Sequence, residues 1–136
     1  MPINQDQPLS IIRVPHIIMK KPITRVQHGF ADYSYIPLVA TAPEVFDFKD
    51  EKAATLLCRI QSGGTLLYSL FTRAEWGVFR KIPYETHLTI DFSVGLLSLG
   101  APWLLGFSKN RHARNTFLAI GAIGVLASIL SEPKEM

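Results

Sequence analysis

The chain of 136 residues has one cysteine, Cys58. An internal disulfide is therefore impossible and a cysteine-built zinc centre is excluded, so Cys58 reads as a small apolar residue in a helix. No glycine-rich phosphate loop, no nucleophile elbow and no HExxH pair occurs, which removes the commonest signatures of nucleotide-binding, esterase-like and metalloprotease chemistry. The net charge is only +3 and no basic stripe alternates with aromatics, so nucleic acid is not an expected partner. Near the N-terminus Asn4, Gln5, Asp6 and Pro8 interrupt any apolar core of a signal peptide. Insertion into a membrane would then depend on internal segments.

Hydrophobic residues make up 48% of the chain and mean hydropathy is +0.20, values that soluble proteins also reach. Their distribution is more telling. The stretch HLTIDFSVGLLSLGAPWLLGF, residues 87–107, holds a single acid and is long enough to cross a hydrocarbon layer of about 30 Å. An earlier copy precedes it: His28, Asp32, Pro43 and Phe48 stand 59 residues (87 − 28) before His87, Asp91, Pro102 and Phe107. Leu66, Leu67, Ser69 and Thr72 keep the same offset from Val125, Leu126, Ser128 and Ser131.

The expected fold is thus all-α, an integral membrane four-helix bundle made of two tandem helical-hairpin repeats. An N-terminal interfacial strap covers 1–27, with Ile11-Ile12 and Ile17-Ile18-Met19 flanked by basic residues suited to anionic lipid. The first hairpin covers 28–72, with spans at 28–46 and 53–72 and a Lys49–Lys52 loop between them. A linker at 73–86 carries Trp76, Phe79 and Tyr84, a mixture suited to a membrane boundary. The second hairpin covers 87–131, with spans at 87–107 and 115–131 and a loop at 108–114, and a tail follows at 132–136. Pro37 is expected to bend the first span, and Gly63-Gly64 and the small residues of the last span to admit a neighbouring helix closely. A two-helix unit returns to its starting side, so the repeats are parallel and related by an axis near the membrane normal. Eight lysines and arginines fall in the N-terminal segment, linker and tail against five in the hairpin loops, which places both termini in the cytoplasm.

The run KIPYETHLTIDFSVGLLSLGAPWLLGF resembles the repeat of the SPW family of small bacterial integral membrane proteins, named for a Ser-Pro-Trp motif. Ala101-Pro102-Trp103 stands in its place here, and Ala42-Pro43-Glu44 in the first copy, without the tryptophan. The resemblance spans roughly residues 23–131 and implies two-helix repeats in a bacterial inner membrane, with no particular chemistry attached.

The candidate functional residues are His28 with Asp32 and His87 with Asp91, each pair on one helix face at i, i+4. Two histidines at equal depth are able to hold a haem or a metal between them, which makes a redox or ion-handling protein the alternative reading. Structural pairing weighs more: each histidine is expected in a first turn within reach of water, and each aspartate one turn deeper. Asp32 would bind hydroxyls of Ser69 or Thr72, and Asp91 those of Ser128 or Ser131. Arg59 is expected to be neutralised by Glu44 or Asp47, Trp76 and Trp103 to sit at an interface, and His112 to be solvated. No cofactor and no metal is expected. The chain reads as a non-enzymatic structural or accessory subunit of a larger membrane complex, in contact with membrane lipid; a soluble four-helix bundle is the third reading, because the first span is so polar.

Overall fold

The computed structural model describes residues 20–136. Four helices follow in order: α1 (Arg25–Val45), α2 (Lys52–Phe71), α3 (Tyr84–Leu104) and α4 (Arg111–Leu130). Among the described residues there is no strand, and only two isolated parallel bridges occur, Ile23 with Ser131 and Thr72 with Ile82. The expected strap falls outside the described residues as far as residue 19.

α1 and α2 pack as one hairpin and α3 and α4 as another. The duplication read in the sequence is reproduced at the level of single bonds. Ile82 and Arg73 exchange backbone bonds across the end of α2 (Ile82 N–H to Phe71 O, 2.8 Å; Arg73 N–H to Ile82 O, 2.8 Å). Ile23 and Glu132, 59 residues away in each case, do the same at the end of α4 (Ile23 N–H to Leu130 O, 3.1 Å; Glu132 N–H to Ile23 O, 2.9 Å). The chain entering each hairpin is thereby pinned to the closing end of the other. The hairpin turns correspond too: Asp47 and Gly106 occupy equivalent positions and both adopt positive φ, 54° and 78°. Asp and Gly are residues that tolerate this left-handed conformation after a helix end. The following Phe48 and Phe107 then tuck into the core, where Phe107 packs against Phe117 with ring centroids 5.0 Å apart.

Three of the expected spans shift toward the N-terminus, for local reasons. Thr24 caps α1 with Gln27 in a reciprocal capping box, and Pro83 opens α3, so both helices begin three residues earlier than expected and the linker closes at Pro83. Asn110 caps α4 through Ala113 N–H, which moves its start to Arg111 and shortens the second loop. α1 passes through Pro37 and Pro43 without a break. Its side of the linker is fastened by an ion pair in which Arg25 donates to both oxygens of Glu75, at 2.9 and 2.6 Å, holding that carboxyl below its usual range.

Small residues make the closest helix crossing, though not all those expected to. Gly95 on α3 faces Gly121 and Gly124 on α4, and a Cβ on Gly95 would lie 2.8 Å from the Val125 nitrogen. Gly63 and Gly64 correct the sequence reading: a Cβ on either meets nothing within 4 Å. The buried face of α2 is set by Cys58, Gln61, Ser62, Thr65 and Ser69, and helical phase turns the glycine pair away from it. Gly63→Ala and Gly64→Ala are therefore expected to leave the packing intact and to raise stability by about 0.5–1 kcal/mol each through helix propensity, read as an upward shift of the unfolding midpoint.

Among the described residues only α4 is long and apolar enough to cross a membrane by length and composition. The four-span expectation is not supported by that criterion. α1 carries Asp32 and Glu44, α2 carries Lys52, Arg59 and Gln61, and the early start of α3 adds Glu85 to the His87 and Asp91 already expected there.

Candidate functional site

The helix starts determine where the histidines fall. Because α1 and α3 begin three residues early, His28 and His87 close the first turns of their helices rather than opening them, and they are 1% and 2% exposed. They sit in the first turn as expected, but the expectation that water reaches them there is corrected. Tyr84 covers them, its ring edge-on to His28 at 5.8 Å and stacked on His87 at 5.9 Å. Trp76 closes the approach beside α1: its indole N–H donates to Val26 O at 3.0 Å, and a Cβ on Gly29 would collide with its ring. This ties the linker, where interfacial residues were expected, directly over the site.

The two His-Asp pairs do not stay within their helices. His28 Nε2 lies 2.8 Å from Asp91 Oδ2 and 3.4 Å from its own i+4 partner, Asp32. His87 Nε2 lies 2.9 Å from Asp32 Oδ2 and 3.0 Å from Asp91 Oδ2. The four side chains form one buried cluster at the meeting of α1 and α3, with exchange between repeats. The hydroxyls are exchanged as well. His28 Nδ1 is 2.7 Å from Ser131 Oγ of the second repeat, and His87 Nδ1 is 2.8 Å from Thr72 Oγ1 of the first. Thr72 and Ser131, expected to serve the aspartates, serve the histidines; Ser128 instead donates to Gly124 O, and Ser69 Oγ has no partner.

These hydroxyls settle the ring tautomers. Ser131 donates its hydrogen to Ala127 O at 2.6 Å and Thr72 donates to Tyr68 O at 2.7 Å, each one turn back along its helix. Their oxygens are left as acceptors, so both Nδ1 atoms carry the hydrogen and donate it. Both Nε2 atoms then point into a space walled by two carboxylates, where every facing atom is an acceptor unless a cation intervenes. Burial makes such a gathering costly without compensation. Either extra protons are held between the rings and the carboxyl groups or one ion sits among the ligands, and all four donor atoms lie within 4.8 Å of one another.

The repeats differ in one informative place. Tyr68 donates to Asp91 Oδ1, whereas its counterpart 59 residues later is Ala127. The space that a second tyrosine would fill contributes to a cavity of about 40 Å³ that both aspartates line together with Tyr35. Sequence reading missed Tyr68, Tyr84 and Trp76 as parts of the site. Only Tyr68 had a signal there, standing one turn before Thr72 on the same face of α2.

The remaining candidates lie elsewhere. Arg59 pairs with Glu44, as expected, on the exposed side of the first hairpin. His112 approaches Asp47 O at 3.3 Å between the two hairpin loops. Deep in the bundle Gln61 donates to Ser98 at 2.7 Å, where the repeat-related positions are Ile120 and Val39.

No family model, no curated protein and no solved structure matches the chain.

Proposed function

We propose that this chain is an integral membrane bundle of two parallel hairpin repeats that serves, without catalysis, as a structural or accessory subunit of a larger complex in the bacterial inner membrane, with both termini cytoplasmic. The observation that carries this reading is the inverted polarity of the bundle. Phe30, Leu38, Leu56, Leu67, Leu97, Leu104, Ile123, Leu126 and Ile129, drawn from all four helices, are exposed. Gln61, Ser62, Thr65, Ser98, Thr116 and Ser128 are turned inward with the His-Asp cluster. Water would reverse that arrangement, and so large an apolar exterior calls for lipid or partner helices to cover it. Interior hydroxyls bonded to their own helix or to a neighbour are the way backbone and side-chain groups are satisfied away from water. Trp76 and Trp103, both outward, suit the boundaries of the layer. The SPW resemblance points the same way.

An accessory role is favoured by the character of the polar centre, whose members bind one another and tie one hairpin to the other. The alternative redox reading with haem asks for a slot between the two histidines. Their Nε2 atoms instead share one carboxylate oxygen, at 2.8 and 3.0 Å, and the adjoining cavity of about 40 Å³ has no room for a macrocycle.

Carbonate extraction followed by purification in mild detergent tests the proposal. The chain is expected to stay with the membrane pellet and to leave detergent extracts with stoichiometric partner proteins. Release by carbonate would overturn the membrane reading, and a lone monomer in detergent the accessory one.

A further inference from the structure

We propose that His28, Asp32, His87 and Asp91 form a four-coordinate site for a single divalent transition-metal ion, which clamps the two hairpins together. Three independent features converge on this. The first is the donor set. Two imidazole nitrogens and two carboxylate oxygens suit zinc and its neighbours, iron(II) and cobalt(II), and two carboxylates neutralise a divalent charge exactly once the rings are uncharged.

The second is orientation. In metal sites the ring nitrogen away from the ion donates to a fixed acceptor, and here Ser131 and Thr72 accept from the two Nδ1–H groups because their own hydrogens go to Ala127 and Tyr68 carbonyls. Both Nε2 lone pairs are thereby aimed at the same point. Tyr68 steadies Asp91 from behind in the same way.

The third is spacing. A tetrahedral ion with bonds of about 2.0–2.1 Å separates its ligand atoms by about 3.3 Å. The nitrogen–oxygen separations across this cluster are 2.8, 2.9 and 3.0 Å, with 3.4 Å from His28 to the other oxygen of Asp32. One ligand atom from each residue lies within 4.8 Å of the rest, so the four side chains bracket that spacing and close on the ion by side-chain adjustment. All four positions are filled by protein, the pattern of a structural rather than a catalytic centre. Each repeat supplies one histidine and one aspartate, so neither hairpin holds the ion alone.

Metal analysis and cobalt titration of the full chain in detergent test the site. Protein stripped with a chelator is expected to take up one Co²⁺ per chain, to show the visible absorption of tetrahedral cobalt, and to lose that colour when Zn²⁺ is added. Asp32→Asn and His87→Gln, which keep side-chain size, are expected to weaken uptake more than about tenfold, while His112→Ala leaves it unchanged. Zn²⁺ is expected to raise the unfolding midpoint of the parent chain and not of Asp32→Asn. A stripped chain that stays helical and takes up neither ion overturns the proposal, as does uptake that survives both ligand variants. The proposal does not rest on the bilayer: cobalt binding by a chain that carbonate releases would sink the membrane reading and leave this one standing.

Discussion

Asp91→Ala is expected to be the most damaging substitution at the polar centre, lowering stability by about 3–5 kcal/mol. Asp91 Oδ2 faces His28 Nε2 at 2.8 Å and His87 Nε2 at 3.0 Å, while Oδ1 accepts from Tyr68. Truncation removes a partner of three buried groups at once and leaves His28 only the 3.4 Å contact to Asp32 and Tyr68 only Thr65 at 3.3 Å, while Tyr84 and the ends of α2 and α4 seal the two rings from water. Asp32→Ala is expected to cost less. Asp32 meets His87 at 2.9 Å but His28 only at 3.4 Å, and where a matching tyrosine would stand the chain has Ala127. Tyr68→Phe, which strips a single hydroxyl, belongs at the mild end, at about 1 kcal/mol. Unfolding in detergent micelles reads the order Asp91→Ala, Asp32→Ala, Tyr68→Phe. Equal effects for the two aspartates would show that the repeats contribute symmetrically and that the tyrosine is idle.

The same exchange between repeats marks the boundary of what the sequence discloses. The offset of 59 residues was legible, and with it two hairpins and equal depth for the histidines; the equivalent turns at Asp47 and Gly106 were not, since Gly106 falls inside the span expected at 87–107. The i, i+4 spacing correctly put each His and Asp on one face. It said nothing of which partner each would choose, since that depends on how the two hairpins meet, α1 against α4 and α2 against α3, which lets side chains 50 or more positions apart reach one another. Helix starts were misread because Thr24 and Pro83 act through backbone geometry, and hydropathy does not register a cap. Gly63-Gly64 misled for a related reason. Adjacent residues on a helix point about 100° apart, so a glycine pair cannot line one crossing, whereas Gly121 and Gly124, at i and i+3, can.

That crossing carries the second large effect. Gly121→Val is expected to force α3 and α4 apart, because even the first added carbon would sit 2.9 Å from both Gly95 O and Leu99 N, and backbone atoms cannot swing aside as a side chain does. Gly95→Val meets the same obstacle from the other helix, 2.8 Å from the Val125 nitrogen and 3.0 Å from Gly121 O. Overpacking of this kind costs about 1–3 kcal/mol where neighbours can yield, and the upper end or beyond is expected here because they cannot. The consequence reaches past local packing. Asp91 lies one turn before Gly95 on α3, and Ser131 closes α4, so separating these helices pulls the carboxylate facing His28 Nε2 and the acceptor of its Nδ1–H in different directions. The first hairpin has Ile36 and Ser62 at the equivalent positions and accommodates them by a looser crossing, so Ser62→Val is expected to be far milder. Unfolding midpoints of the three variants decide the matter. If Gly121→Val proves no worse than Ser62→Val, the tight glycine crossing is not what sets the geometry of the second hairpin.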